Sequence, residues 1–257
     1  MPVITVLNTT RELKNSKVDM AILPIGSIEQ HGPHLPIGTD WIFAEEDAKR
    51  IAGKVGNCYL LPALPYSNAQ EHLGFHGTIA LRPQTLAQVI RDIVSSLYLQ
   101  GIKKIVIISD HGGNWIIKPT IRELNLEYPD LKIIHGAPMG GKPTDVHAGD
   151  SETSRMLYLN DKLVRKDEIT DSVPDATQEY IDYVGLKVLS EKGHWGRPSQ
   201  ASSEKGKEAI DDAIESAVSY IKRTFEKLEG FERTSRRRKS IVPKPPKKLP
   251  RRSHLKI

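Results

Sequence analysis

Between Gly26 and Asp40 the chain reads Gly-Ser-Ile-Glu-Gln-His-Gly-Pro-His-Leu-Pro-Ile-Gly-Thr-Asp. One glutamate, two histidines and one aspartate stand among glycines and prolines, directly after an apolar run at 20–25. Imidazole and carboxylate together suit a borderline or hard divalent cation such as Zn²⁺ or Mn²⁺. Glu29 and His31 are two residues apart, so an extended backbone turns both to one side. Pro33 and Pro36 stiffen the loop and lower the entropy cost of holding ligands in place. Two more motifs carry the same chemistry: Ser109-Asp110-His111-Gly112-Gly113-Asn114, and His147-Ala148-Gly149-Asp150-Ser151-Glu152-Thr153-Ser154. If Glu29, His31, Asp40, His111 and Glu152 converge, five ligands are one too many for a tetrahedral ion with an open position. They suit two ions sharing a carboxylate. Such ions, about 3.5–4 Å apart, activate a bound water and polarise the carbonyl it attacks. The matching chemistry is hydrolysis of an amide or related C–N bond.

Each motif also has a structural use when taken alone. Asp150 and Glu152 can serve a helix N-terminus. His-Gly-Gly-Asn can be a tight turn with Asn114 as helix cap. His135, His194 and His254 carry no motif and read as packing or surface residues. It is the recurrence of three motifs that favours a site.

The elements that must position these motifs follow from periodicity. Apolar runs predict strands at 20–25, 59–64, 104–109 and 132–135. Helical spacing predicts helices at 41–52, 85–100, 115–127, 151–159 and 204–229. Alternation of the two predicts an α/β fold with a mainly parallel sheet covered on both faces. The metal motifs then sit at strand ends, where open α/β sheets hold ligands. Residues 160–200 are polar and rich in Gly and Pro, and read as excursions around one edge of the site.

The 257 residues suffice for one large domain. The net charge of +5 is unevenly placed. From 232 to 257 there are 11 Lys/Arg and one acidic residue, whereas the first 231 residues hold 26 Lys/Arg against 31 Asp/Glu. A hydrolase body over 1–231 with a basic, disordered tail over 232–257 is therefore expected. The tail opens a second class of function, contact with nucleic acid or another anionic surface. Its lack of aromatics would make that contact non-specific. The single Cys58 excludes an internal disulfide and a thiolate zinc cage. No apolar run is long enough to span a membrane. The opening Met1-Pro2-Val3-Ile4-Thr5 lacks a signal-peptide pattern, so a cytoplasmic location is expected.

The 26–40 segment resembles the signature loop of the creatininase (creatinine amidohydrolase) family. His111-Gly112-Gly113-Asn114 resembles that family's second motif, and His147-Ala148-Gly149 with Glu152-Thr153-Ser154 its third. Glu71-His72 with Phe75-His76-Gly77-Thr78 is similar to a further segment, where proline usually stands at His76. Gly193, Gly196 and Pro198 with Glu204-Lys205-Gly206 look like its C-terminal pattern. The resemblance implies a three-layer α/β/α sandwich with a dinuclear centre. Glu29, His31, Asp40 and His111 match the metal ligands, Asp40 bridging, with Glu152 as the fifth. On this reading Glu29 and His111 serve one ion, and His31 and Glu152 the other. The ions are two divalent metals per subunit, Zn²⁺ preferred, with Mn²⁺ or Fe²⁺ as alternatives.

His147 matches a histidine near the substrate and is the candidate general acid/base, with Glu152 as second catalytic candidate. His72, His34 and Trp115 are candidates for shaping the substrate pocket. Family members are commonly homohexamers acting on small molecules. The wider family includes a formamide hydrolase of archaeal flavin and deazaflavin biosynthesis and a peptidase that trims a cofactor precursor. Asp110, Asp150 and Arg197 depart from the usual pattern. Creatininase itself places a ligating glutamate where Gly113 stands, which argues against creatinine as the natural substrate.

Overall fold

Strand β1 spans Val3–Ile4 and helix α1 Thr10–Ser16, followed by β2 Met20–Ile25, α2 Thr39–Val55 and β3 Cys58–Leu60. Then come α3 Pro83–Leu99, β4 Lys104–Ser109, α4 Ile117–Glu127 and β5 Lys132–His135. The last part holds α5 Asp150–Asn160, the short α6 Tyr180–Val184 and α7 Leu186–Leu189, and the long α8 Ser203–Arg237. This computed structural model describes residues 3–136 and 145–237, with side chains described to residue 231. No helix among them is long and apolar enough to cross a membrane.

The five strands form one sheet in the order β1-β3-β2-β4-β5, and every pairing is parallel. Period-two alternation explains the two layers on its faces. Ile22, Val106, Ile108 and Ile134 face one way and pack with Ala48 and Ile51 of α2 and with Ile210, Ile214 and Ile221 of α8. Ala21, Leu23, Ile105, Ile107 and Ile133 face the other way, against Leu86, Ile90 and Val94 of α3 and Ile117, Ile121 and Leu124 of α4. Each fully buried isoleucine contributes roughly 1.5–3 kcal/mol relative to exposure. The result is the expected three-layer α/β/α sandwich.

Strands β2, β4 and β5 match the sequence reading residue for residue. The run at 59–64 forms a shorter strand, β3, and then only a single bridge, Ile25 to Leu64. Helix α2 starts at Thr39, two residues before the predicted start, so Asp40 lies in its first turn. Gly26 permits this: a Cβ there would lie 2.4 Å from the Trp41 Cα. The end of β2 can thus touch the backbone at the start of α2. Helix α8 runs to Arg237, beyond both the predicted helix end and the expected start of the basic tail. The rest of that tail, 238–257, lies outside the described residues.

Candidate metal centre

The loops after β2 and β4 and the first turns of α2 and α5 converge beyond the carboxyl ends of the strands. Strand β2 lies between β3 and β4, so successive crossovers leave it on opposite sides, as at the ligand-binding switch point of open sheets. Glu29, His31 and Asp40 are 0, 0 and 1% exposed. His31 Nε2 lies 3.1 Å from Asp40 Oδ1 and 3.9 Å from Glu152 Oε2. His111 Nδ1 lies 3.0 Å from Glu29 Oε2 and 3.1 Å from Asp40 Oδ2. Donor atoms of Glu29, His31 and Asp40 stand within 4.8 Å of one another, as do those of His31, His147 and Glu152. The five sequence-derived ligands are therefore brought together, with Asp40 between His31 and His111.

Hydrogen bonds fix which ring nitrogen faces inward. His111 Nε2 lies 2.9 Å from the Asn68 carbonyl, and His147 Nε2 lies 2.8 Å from the Gln30 carbonyl. A carbonyl only accepts, so each Nε2 carries a proton and donates. His111 Nδ1 and His147 Nδ1 are then left for the carboxylates, Nδ1 of His147 lying 3.7 Å from Glu29 Oε1. In neutral rings these are lone pairs aimed at carboxylate oxygens. Both Glu29 oxygens are buried without a hydrogen bond. Lone pairs facing orphaned carboxylate oxygens are what a divalent cation reconciles. Without it, protons fill the same place. Burial alone would lower the His31 pKa, but Asp40, Glu152 and Glu29 carry it up to about 10. His111 is raised well above the ordinary imidazole value against the same burial penalty, by Glu29, Asp40 and Glu71. Asp40 is held well below the carboxylate range, burial being outweighed by His31 and His111.

Glu152 is the loosest of the five. Its Oε2 accepts the Ala148 N–H at 2.5 Å, so it also serves the start of α5. Burial, outweighing His31, raises its pKa to about 7. His147 is pushed well below the ordinary value by burial and then by His31 and His72, and so is neutral at pH 7. His72 lies 3.2 Å from Glu29 Oε1 and accepts from the Gln30 amide at its Nδ1, 2.9 Å away. The Gln30 amide also donates to the Gly193 carbonyl at 2.6 Å.

Of the substrate-pocket candidates, only His72 lines the cavity over the centre, which measures about 390 Å³. His34 is fully buried, with Nε2 3.0 Å from Thr153 Oγ1, and ties the first loop to α5. Trp115 is 58% exposed and outside the cavity lining.

Three residues escaped the sequence reading. Ser27 donates to Asp40 Oδ2 at 2.9 Å, and Gln30 orients two histidines. Glu71 Oε1 stands 3.2 Å from His111 Nε2, on the side away from Glu29. A Cβ on Gly113 would lie 1.8 Å from that oxygen, so Glu71 fills the room that a side chain at 113 would need. The neighbouring polar residues of the 29–31 loop and the Glu71-His72 pair were the available signal.

Next to the centre lies a second buried cluster. Arg155 Nη2 donates to Asp47 Oδ2 at 2.8 Å and to Asp110 Oδ1 at 3.2 Å, and its guanidinium lies 3.9 Å from the Phe43 ring centroid. Burial and then Asp47 push the Asp110 pKa up to about 7 in spite of Arg155.

A parallel α/β/α sandwich with carboxylates and imidazoles gathered at its strand ends suits a metal-dependent hydrolase. The chain belongs to the creatininase (creatinine amidohydrolase) family, whose model matches residues 7–221. It is 29% identical to the mycofactocin precursor peptide peptidase of Mycolicibacterium smegmatis, over 84% of this chain and 89% of that one. Creatinine amidohydrolase of Pseudomonas putida is 27% identical, over 79% and 89%. The 2-amino-5-formylamino-6-ribosylaminopyrimidin-4(3H)-one 5'-monophosphate deformylase of Methanococcus maripaludis is 31% identical, over 69% and 76%. A crystal structure of creatininase superposes with a TM-score of 0.74 at 25% identity, over 86% of this chain and 98% of that one. A manganese form of creatininase gives the same score and identity, over 87% and 99%.

Proposed function

We propose that the protein hydrolyses a C–N bond of a small cyclic amide, formamide or related substrate with metal-activated water. The observation that carries this is the Glu29 carboxylate, buried and without a hydrogen bond while His111 Nδ1 stands 3.0 Å away. Asp40 would lie between two divalent ions, with Glu29 and His111 on one side and His31 and Glu152 on the other. Zinc suits this donor set best, and manganese or iron(II) fits it as well. When bound, the ions supply an activated water and polarise the scissile carbonyl.

The chain's own residues do the rest. The Asn68 and Gln30 carbonyls hold His111 and His147 in one tautomer. His147, neutral and held at Nε2, has Nδ1 available to exchange a proton with the leaving nitrogen. Glu152, whose Oε2 lies 3.9 Å from His31 Nε2, is the second catalytic candidate at the same centre. The same reading takes the body through residue 231 as the hydrolase unit. It also places the protein in the cytoplasm, as a homo-oligomer of six subunits by family resemblance.

The test is a hydrolysis screen over lactams, formamides and short peptides, after chelator treatment and restoration of zinc, manganese or iron(II). Turnover that depends on restored metal is expected. Protein that holds two equivalents of metal yet turns over no member of the panel would overturn the proposal.

A further inference from the structure

Four imidazoles surround the centre, and the group behind each ring decides what the ring presents inward. Behind three of them stands a backbone carbonyl. That of Glu29 lies 3.3 Å from His31 Nδ1, that of Asn68 2.9 Å from His111 Nε2, and that of Gln30 2.8 Å from His147 Nε2. A carbonyl accepts the ring N–H, so the other nitrogen of each neutral ring points inward as a lone pair. His72 differs. Its Nδ1 lies 2.9 Å from the side-chain amide nitrogen of Gln30. That amide cannot be turned around, because its nitrogen donates to the Gly193 carbonyl at 2.6 Å and its oxygen accepts the Gly32 N–H at 3.0 Å. A Cβ at Gly193 would collide with the same oxygen, so glycine lets the two segments meet. One amide hydrogen goes to Gly193. The other goes to His72, since His147 Nε2, also within reach at 3.1 Å, carries a proton of its own. His72 Nδ1 therefore accepts, and the ring's proton sits on Nε2. The N–H is turned inward: His72 is 4% exposed and lines the cavity. Nε2 lies 3.2 Å from Glu29 Oε1, which is nevertheless without a hydrogen bond, so the donor is unspent. An N–H cannot ligate a cation, but it is what an oxygen gaining negative charge requires.

We propose that His72 is a catalytic residue whose Nε2–H donates to the substrate's carbonyl oxygen as that oxygen becomes an oxyanion, and that Gln30 is the positioning residue holding it in the required tautomer. This rests on the hydrolase reading above for the reaction, but not for the tautomer or the anion site. As the oxygen of the attacking water bonds to the carbonyl carbon, the C=O π pair moves onto the substrate oxygen. His72 donates a hydrogen bond there without giving up its proton. When the pair returns, the C–N bond breaks with its electrons on the nitrogen, which takes the proton that His147 Nδ1 drew from the water. A donor already fixed and screened from solvent needs no reorganisation as the charge appears.

The probe is methylphosphonate, a tetrahedral anion, added to the zinc-loaded full chain and followed by phosphorus NMR. His72→Phe keeps a ring and removes the N–H. It should hold as much zinc as the wild type and bind the probe at least about tenfold more weakly. His72→Gln, whose amide can donate from the same region, should recover most of that loss. Nitrogen NMR of histidine-labelled protein, with the His72 signals identified by their absence from His72→Phe, should show the Nε2–H tautomer in the wild type and a mixture in Gln30→Met. On an amide of the hydrolysis panel that turns over, His72→Phe should lower kcat roughly 100- to 1,000-fold, with KM changed by less than about threefold. Zinc lost from His72→Phe would make His72 a ligand or a support of Glu29 and overturn the proposal. So would unchanged probe affinity, no probe binding in the wild type, or a wild-type ring protonated at Nδ1. If His72→Phe does not fold, Gln30→Met decides: an unchanged tautomer and unchanged probe affinity overturn the proposal. Probe binding that depends on His72, without turnover of any amide, would keep the anion site and count against the hydrolase reading. Turnover indifferent to His72 would do the reverse.

Discussion

Two buried clusters of acids lie side by side at the carboxyl end of the sheet, and three elements contribute to both. Helix α2 gives Asp40 to the metal centre and, two turns later on the same face, Asp47 to the Arg155 cluster. Helix α5 gives Glu152 to the first and Arg155 to the second. The loop after β4 gives His111 and Asp110. The chemistry differs in one respect. Asp47 and Asp110 have a resident cation, a guanidinium fixed between them and stacked on Phe43. Glu29, Asp40 and Glu152 have only imidazoles, which can yield a proton to make room for a metal. A buried carboxylate charge needs a partner in either case. One cluster carries its partner in the sequence, and the other is built to take it from solution.

Removing the resident cation should have the largest effect on stability. Arg155→Met leaves two buried acids unpaired and is expected to cost about 3–5 kcal/mol in urea unfolding. Adding Asp47→Asn and Asp110→Asn to it should recover most of that loss, because a neutral cluster needs no cation. If Arg155→Met unfolds at the wild-type urea concentration, the cluster is not an ion triad of this kind.

The contrast predicts a smaller, pH-dependent effect at the centre. His31 has a folded-state pKa of about 10, above the ordinary 6.5. In metal-free protein its contacts therefore contribute stability in full below about pH 6.5, and that contribution is lost as pH rises through about 10. Metal must displace the same protons. Loading at pH 7 should release about two to three protons per centre, from His31, His111 and in part Glu152, and metal affinity should rise with pH. Release can be followed with an indicator dye in weak buffer. Affinity that is flat from pH 6 to 8 would show that the histidines are not displaced. The smallest effect should come from the basic tail. Ending the chain after Arg237 should change hydrolysis by no more than about twofold, while any retention on nucleic acid should fall. Unchanged retention would put that binding elsewhere.

The two clusters were unequally legible in the sequence. Glu29, His31 and Asp40 stand within twelve residues, on a loop marked by glycine and proline. Asp47 and Arg155 carry no motif, and only their spacing from Asp40 and Glu152 along two helices links them. Glu71 and Gln30 were hidden for a similar reason: their roles depend on contacts across the chain, 40 residues from Glu71 to His111 and 117 from Gln30 to His147. In the fold, β4 was legible because uninterrupted isoleucine and valine suit a strand buried on both faces. Strand β1 has only two residues, and α1 buries none, leaving no periodicity to read. The one signal for α1 was its capping box, Thr9 with Glu12.

The central claim is that the acids around Asp40 are balanced by metal. Elemental analysis of protein purified without chelator tests it most directly, on the wild type and on Asp40→Ala. The account predicts about two equivalents of divalent metal per chain in the wild type, and less than one once Asp40 is removed. Less than about one equivalent in the wild type, unchanged by Asp40→Ala, would contradict it.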